Sequence, residues 1–292
     1  MIDFEQEWRR QMINERPPST PERWNARARK DASSFGPGTS YSDAFLDRAQ
    51  LLAGETILDM GCGAGSLAIP AAERGHRVLA CDFSEVMLEH LEQQLSEGTR
   101  PLVATHRLAW EDDWDAVGIG PNAVDVAFSS RSIATPDLAG ALTKLTRVAR
   151  RKVCLTISPG PLPRAFSALF LDLGLEVPRN QDAALVLGAL LARGQKPSVG
   201  YIESPRIERF ASFDEAVETY RAMIDMAVDP PVGEDRKRVE RELVRWLESH
   251  LMHEGAPADE DPDTKATAKE RPYWVDVPRS FDWMFISWET GN

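Results

Sequence analysis

A glycine-rich loop between a short apolar strand and a helix constrains this chain more than any other feature. The strand is Thr56–Met60, the loop carries Gly61, Gly63 and Gly65, and a helix is predicted over 66–74. Glycines in such a loop allow a tight turn and let the backbone approach a ligand closely. Because nucleotide dehydrogenases use a similar loop, the glycines alone leave the ligand undecided.

Two acidic residues narrow the choice of ligand. Asp59 lies two residues before Gly61 and favours a cationic ligand, because a pyrophosphate at a helix N-terminus disfavours a nearby carboxylate. Asp82 follows the second predicted strand, about 20 residues beyond Gly61, which is the spacing at which an acidic side chain binds ribose hydroxyls. A helix-capping role is the alternative for Asp82. Phe83 and Met87 would then offer apolar contacts to an adenine.

Short apolar strands alternate with helices through the first half of the chain. Strands are predicted over 56–60, 77–81, 102–106, 124–129 and 153–158, and helices over 42–52, 66–74, 84–96 and 138–150. Beyond residue 160 helices are predicted over 161–173, 182–193, 213–226 and 235–253, with strands over 199–204 and 281–288 and a mobile loop over 254–269. Alternating strands and helices predict a mostly parallel sheet covered on both faces.

Three motifs resemble those of the class I S-adenosylmethionine (AdoMet)-dependent methyltransferases. ILDMGCGAG, residues 57–65, is similar to the first motif of that family, and CDFSEVML, residues 81–88, to its second-strand motif. AVDVAFSSRSI, residues 123–133, is similar to the fourth-strand motif. The resemblance covers roughly residues 40–160 and the final strand.

The resemblance implies a Rossmann-like, doubly wound, mostly parallel seven-stranded sheet whose last strand is antiparallel. It also implies AdoMet as the cofactor and S-adenosyl-L-homocysteine as the product, with Asp82 as the ribose ligand and Ser129 beside the methionine part. An aromatic and acidic stretch after the third strand would hold the adenine amino group, unless it is a solvated acidic turn. The predicted cofactor-binding residues are Asp59, Gly61, Cys62, Gly63, Gly65, Asp82, Phe83, Met87, Trp110, Glu111, Asp112 and Ser129.

Catalytic residues are harder to name, because methyl transfer from a sulfonium depends largely on positioning and desolvation. A base is needed only when the acceptor must lose a proton. Arg131, just past the fourth strand, would orient an anionic acceptor unless it is a surface arginine. The other substrate-side candidates are Trp24, Arg27 and Tyr41 in an N-terminal lid and, more weakly, Tyr201 and Trp274 in the insert. For Trp24 the alternative is aromatic packing of a terminal helix.

Composition limits the partners that we expect. The formal net charge is −12, which disfavours nucleic acid as a partner. A basic cluster, expected at a helix C-terminus, is the exception: Arg147, Arg150, Arg151 and Lys152. The longest apolar run, 183–192, is too short to span a bilayer, and the first residues do not resemble a signal peptide. Three scattered cysteines predict neither a disulfide nor a metal site, so we expect a cytoplasmic location.

The sequence therefore predicts four segments: an N-terminal helical lid over 1–41, an AdoMet-binding core over 42–160, a mainly helical insert or substrate lid over 161–270, and a final strand over 271–292. The leading hypothesis is methyl transfer to a small-molecule acceptor. The alternatives are methylation of a protein or cofactor precursor, a nicotinamide-dependent oxidoreductase, and a non-catalytic AdoMet-binding regulator. Oligomeric state stays open.

Overall fold

The computed structural model describes residues 3–14, 19–30, 40–160, 166–179, 181–206, 208–253, 271–277 and 279–291. Backbone contacts divide the chain into two compact units. The first unit comprises Met1–Ile157, Asp182–Ile202 and Trp283–Asn292, and the second comprises Ser158–Gln181 and Glu203–Asp282. In the described ranges, no helix is both long and apolar enough to cross a membrane.

A seven-stranded sheet organises the first unit. Its strands are β1 (Thr56–Met60), β2 (Arg77–Asp82), β3 (Val103–Arg107), β4 (Val124–Ser130), β5 (Ala149–Ile157), β6 (Ser198–Arg206) and β10 (Arg279–Glu289). They lie in the order β3-β2-β1-β4-β5-β10-β6. β1 to β5 pair in parallel, and β10 pairs with β5 in the antiparallel direction, Met284 opposite Ile157. The Rossmann-like fold predicted from the sequence is confirmed.

Helices cover both faces of this sheet. They are α1 (Phe4–Asn14), α2 (Pro21–Lys30), α3 (Ser40–Ala49), α4 (Ala68–Glu73), α5 (Glu85–Gln94), α6 (Leu138–Val148) and α8 (Asp182–Ala192). Leu58 of β1 belongs to the core that contains α1, α6 and α8, whereas Ile57 belongs to the core that contains α3, α4 and α5. β1 is apolar on both faces because both faces are buried, as in central parallel strands generally.

The strand order places a crevice beside the glycine loop. The chain leaves β1 in the direction of β2 and β3, whereas β4 and β5 extend the sheet on the other side of β1. Ligands of open α/β sheets bind where the strand order reverses, outside the carboxyl ends of the strands. In this unit that position lies between the ends of β1 and β4.

The second unit has an apolar core of its own. It contains α7 (Ser167–Asp172), α9 (Phe213–Ile224), α10 (Gly233–His250) and a three-stranded sheet of β7 (Arg209–Phe210), β9 (Tyr273–Val275) and β8 (Leu251–His253). Phe166, Tyr220 and Trp246 form its aromatic centre, with ring centroids 5.8–6.0 Å apart. The sequence pattern did not predict this small sheet.

The basic cluster predicted at a helix C-terminus is confirmed there only for Arg147, in the last turn of α6; for Arg150, Arg151 and Lys152 the prediction is wrong. α6 ends at Val148, and the backbone becomes extended at Ala149, where β5 begins. Arg150 and Arg151 therefore lie on a strand, where they form ion pairs with Asp125 and Glu55. The helix predicted over 161–173 lies partly, and the loop predicted over 254–269 wholly, outside the described residues.

Candidate functional site

The glycine loop turns sharply from β1 and is fastened to the end of β2. The backbone N–H groups of Gly61 and Cys62 both donate to the carbonyl oxygen of Cys81, at 2.7 and 3.0 Å. Gly61 has φ +77°, and a Cβ atom there would lie 2.3 Å from Cβ of Ser132. Both the backbone conformation and the close approach of the segment after β4 therefore require glycine.

Gly63 meets a different requirement. Its φ is +54°, and a Cβ atom built there meets no other atom within 4 Å. The loop therefore leaves open space beside its backbone, which a ligand lying against the loop would fill. The N–H of Gly63 donates to Oδ2 of Asp82 at 2.9 Å, so this acidic side chain fixes the loop conformation.

Asp82 ends β2 with its carboxylate directed at backbone donors. Its Oδ1 accepts from the N–H of Ser84 at 2.8 Å, and only 5% of the residue is exposed. Ser84, not Asp82, is the N-cap of α5, because its hydroxyl accepts from Met87 N. Burial raises the pKa of Asp82, while the N–H donors of Ser84 and Gly63 oppose that rise. A carboxylate has about four acceptor sites, so Asp82 retains capacity for further donors.

Asp59 is the most deeply buried carboxyl group at the site, with 2% exposure. The N–H of Ala68 donates to this carboxyl group, but Oδ2 has no hydrogen-bond partner in the described part of the chain. Burial, reinforced by the charge of Asp82, raises the pKa of Asp59 to about 7. A buried carboxyl oxygen without a donor favours a ligand that supplies one.

The cysteines near these carboxyl groups are poorly suited to nucleophilic chemistry. Burial, followed by the charges of Asp59 and Asp82, raises the pKa of Cys62 well above its usual range and that of Cys81 to about 12. Within the described ranges, no group of three His, Cys, Asp or Glu side chains is placed to hold a metal ion. These thiols stay protonated at neutral pH and act as small apolar side chains.

The segment 131–135, which we call the post-β4 loop, is held from several sides. The hydroxyl of Ser132 donates to the carbonyl of Met60 at 2.6 Å and lies 2.9 Å from the buried hydroxyl of Ser129. The indole N–H of Trp110 donates to the carbonyl of Ser132, and that of Trp8 to the carbonyl of Thr135. The post-β4 loop is therefore fixed against the end of β1.

Arg131 begins this loop in an unusual backbone conformation. Its φ is +57°, in the left-handed region that side chains other than glycine rarely adopt. Its guanidinium carbon lies 4.3 Å from the ring centroid of Tyr41 and 5.4 Å from that of Trp283. The Tyr41 hydroxyl in turn is 2.7 Å from that of Ser130 and 2.6 Å from that of Thr156.

The comparisons with known proteins agree with this geometry. Residues 57–152 match the family described as "Methyltransferase domain". A Haemophilus influenzae protein described as uncharacterized is 36% identical over 138 residues, which are 47% of this chain and 50% of that protein. The malonyl-[acyl-carrier protein] O-methyltransferase of Serratia marcescens is 37% identical over 98 residues, 33% of this chain and 35% of that protein. Residues 57–152 form a methyltransferase domain.

The chain spans half or less of the length of these curated relatives. Among solved structures, the geranyl diphosphate C-methyltransferase of Streptomyces coelicolor is 13% identical with a TM-score of 0.44. That alignment covers 99% of each chain. The methyltransferase domain itself contains the glycine loop, Asp82 and the whole of β4, which are the residues that carried the resemblance.

The methyltransferase domain brings most of the predicted cofactor residues to one edge of the sheet. Asp59, the glycine loop, Asp82 and Ser129 lie at the carboxyl ends of β1, β2 and β4. Trp110 contacts the same edge, because its indole N–H donates to the carbonyl of Ser132. Their roles as ligands stay predictions.

The remaining candidates around the methyltransferase domain lie elsewhere or are otherwise engaged. Glu111 and Asp112 are exposed, and Oδ2 of Asp112 accepts from the N–H of Ala109 at 2.8 Å. Tyr201 lies half-exposed on β6, whereas Trp274 belongs to β9 in the second unit.

Helix α2 lies against the first turn of α5. Ala28 is buried with Met87 and Ala64, and the half-buried Trp24 packs against this group. Asn25 accepts from the Ser84 hydroxyl at 2.6 Å. The predicted apolar residue Met87 is thus covered by α2, while Phe83 is half-buried beside Asp82.

Sequence reasoning missed Trp283. The sequence FDWMFISW was interpreted only as the final apolar strand, yet its antiparallel direction carries the start of β10 to the carboxyl end of β5, where Met284 lies opposite Ile157. The expected antiparallel pairing was therefore a signal that could have placed Trp283 near Arg131.

Proposed function

We propose that this chain is an AdoMet-dependent methyltransferase that acts on a small-molecule acceptor. The observation that carries the proposal is the pair of buried carboxyl groups, Asp59 and Asp82, on either side of the glycine loop. A buried pair of this kind suits a ligand with a cationic group and a diol, and it disfavours a pyrophosphate at the same position.

The residues present fit AdoMet on three points. The open space beside Gly63 accepts a ligand against the backbone. Oδ2 of Asp59 lacks a donor among the described residues, and an ammonium group would supply one. Asp82 keeps acceptor capacity for the two ribose hydroxyls, with the half-buried Phe83 as the apolar contact for adenine. Met87, which α2 covers, would support this contact from behind.

AdoMet, when bound, would supply an activated methyl group on its sulfonium, with S-adenosyl-L-homocysteine as the leaving product. The protein's part is to orient and to exclude water. Ionised Asp59 would hold the cationic group, Asp82 the ribose, and Ser129 and Ser132 would keep the end of β4 against Gly61. None of these roles requires a nucleophile of the protein.

A small-molecule acceptor is the finer part of the proposal. A net charge of −12 disfavours a nucleic-acid acceptor, and an edge-of-sheet crevice suits a small ligand. We also propose that the two segments predicted as lids, 1–41 and 161–270, cover the bound acceptor. Methylation of a protein or of a cofactor precursor is the alternative within the same chemistry.

Calorimetric titration with S-adenosylhomocysteine, with NADH as the comparison ligand, tests the cofactor. We expect binding at micromolar concentration or tighter for S-adenosylhomocysteine alone. Preferential binding of NADH would replace the proposal with an oxidoreductase. Tight S-adenosylhomocysteine binding with no methyl transfer to any of a broad panel of small molecules, peptides and cofactor precursors would favour a regulator.

Substitution of Asp82 tests the site directly. Hydrogen bonds to a charged group contribute roughly 1.5–3 kcal/mol each, so Asp82→Ala should weaken S-adenosylhomocysteine binding at least about tenfold. Asp82 also accepts hydrogen bonds from Gly63 and Ser84, and alanine removes both. Asp82→Asn keeps one acceptor oxygen and is therefore the variant that disturbs the fold less. Glu89→Ala, on the exposed face of α5, is the matched control and should bind as the wild type does. Wild-type affinity in both folded Asp82 variants would contradict the assignment.

A further inference from the structure

Arg131 combines three features that rarely occur together in one surface arginine. It follows the last residue of β4 directly, at the strand end beside the crevice between β1 and β4. Its backbone has φ +57°, and its N–H donates to the carbonyl of Thr156 at 3.1 Å. A left-handed backbone at a residue other than glycine costs free energy and persists where the surroundings impose it.

The aromatic residues Tyr41 and Trp283 hold the Arg131 side chain. Their ring centroids lie 4.3 and 5.4 Å from the guanidinium carbon, and the two rings meet edge to face at 73°. Tyr41 is itself anchored, because its hydroxyl lies within hydrogen-bonding distance of Ser130 and Thr156. A guanidinium fixed in this way loses little conformational entropy when it binds a ligand.

The contacts with Tyr41 and Trp283 are cation–π contacts, which use the positive charge of the guanidinium and not its N–H donors. The N–H donors of arginine lie in the guanidinium plane and form a fork that matches a carboxylate or phosphate. In the described ranges no acidic side chain forms an ion pair with Arg131, and the residue is exposed. The donors are therefore available to a ligand.

Arg131 also acts electrostatically on the proposed cofactor site. Its positive charge favours the ionised form of Asp59, an effect smaller than those of burial and of the charge of Asp82. An oxyanion bound by Arg131 would therefore lie near the proposed cofactor.

We propose that Arg131, held between Tyr41 and Trp283, binds an oxyanion of the methyl acceptor, a carboxylate or a phosphate, and so determines specificity. This proposal rests on the proposed function. Its rival is that Arg131 binds the carboxylate of the cofactor itself.

The test uses the full chain and small probe ions. The probes are benzoate and phenyl phosphate, with benzamide and benzyl alcohol as neutral partners of the same shape, titrated into protein saturated with S-adenosylhomocysteine. We expect the wild type to bind an anionic probe and not its neutral partner. Arg131→Gln should weaken that binding about tenfold or more, and Arg131→Lys, which keeps the charge but not the fork, should weaken it less. Tighter binding of benzoate or of phenyl phosphate distinguishes the two oxyanions.

A second measurement distinguishes our proposal from its rival, in which Arg131 binds the carboxylate of the cofactor. It compares binding of S-adenosylhomocysteine with binding of 5′-methylthioadenosine, which lacks the amino-acid part. The comparison is made at pH 8.5, well above the pKa of about 7 for Asp59, so that loss of the Arg131 charge does not change the ionisation of Asp59. In our proposal Arg131→Gln then binds both compounds within about threefold of the wild type. A tenfold loss confined to S-adenosylhomocysteine would assign Arg131 to the cofactor and overturn the proposal. Arg245→Gln, an exposed arginine of α10, is the matched control for loss of a positive charge.

Different results would contradict the role of Arg131 and the proposed function. If the wild type binds S-adenosylhomocysteine but neither anionic probe, or binds neutral and anionic probes equally, the proposal for Arg131 is wrong and the proposed function stands. If the wild type does not bind S-adenosylhomocysteine, the proposed function is wrong. Unchanged probe binding in Arg131→Gln would also overturn the role of Arg131.

Discussion

Among single residues, Asp59 should give the protein its clearest pH dependence. Its pKa is raised to about 7, first by burial and then by the charge of Asp82, so the free protein carries a protonated Asp59 in mild acid. A cationic ligand requires the ionised form. S-Adenosylhomocysteine affinity should therefore rise roughly tenfold or more between pH 5.5 and 7.5, with release of about one proton on binding at the lower pH. Calorimetry in buffers of different ionisation enthalpy measures both quantities.

The same residue should lower the stability of the free protein as pH rises. The folded protein holds a proton that the unfolded chain loses above its usual pKa of 3.8. That contribution is complete below 3.8 and is lost as pH rises through about 7. Asp59→Asn should flatten this decline, and Glu89→Gln should not, in urea unfolding of ligand-free protein at pH 5.5 and 8. An unchanged slope in Asp59→Asn would mean that Asp59 titrates normally.

At the scale of elements, the post-β4 loop connects the two proposals, because Ser132 contacts the glycine loop and Arg131 lies beside it. Trp110→Phe removes the donor to the Ser132 carbonyl and should cost about 1–2 kcal/mol of unfolding free energy. It should also weaken S-adenosylhomocysteine binding severalfold.

A matched substitution separates local from general destabilisation. Trp246→Phe, in the second unit, likewise removes an indole donor, here to Asp172 at 2.8 Å. It should reduce stability by a similar amount and leave S-adenosylhomocysteine affinity near the wild-type value. Equal losses of affinity in the two variants would mean that Trp110 acts only through overall stability.

The local sequence pattern predicted the strands that carry the site residues. It did not predict the strands that form only through pairing with distant residues. β1 matches its predicted bounds, and β2 and β4 each extend one residue further, because a short buried strand bounded by turn residues is encoded within a few neighbouring residues. β7, β8 and β9 have two or three residues each, too few to show a period of two, and β9 pairs with residues far away in the chain. Trp283 was missed for the same reason, since its partner Arg131 is brought near only by the sheet.

For the whole molecule, each of the two units has its own apolar core. The cores that flank the seven-stranded sheet lie in the first unit, and the cluster around Tyr220 and Trp246 lies in the second. α8, within the segment predicted as an insert, belongs to the first unit, where it packs on α1. Gly188 of α8 makes this possible, because a Cβ atom there would lie 2.5 Å from the Phe4 ring.

Net charge makes a prediction for the whole chain. The chain has 46 acidic residues against 34 Lys and Arg, so it should repel polyphosphates. Within the basic cluster, Arg150 and Arg151 are neutralised by Asp125 and Glu55. We expect no binding of labelled duplex DNA or single-stranded RNA by fluorescence anisotropy at 0.15 M salt, with or without S-adenosylhomocysteine. Binding that weakens steeply with added salt would contradict this, because phosphate contacts release counterions.

Arg150→Glu and Arg151→Glu should abolish any such binding if the basic cluster is responsible. A nucleic-acid acceptor would then replace the small molecule in the proposed function.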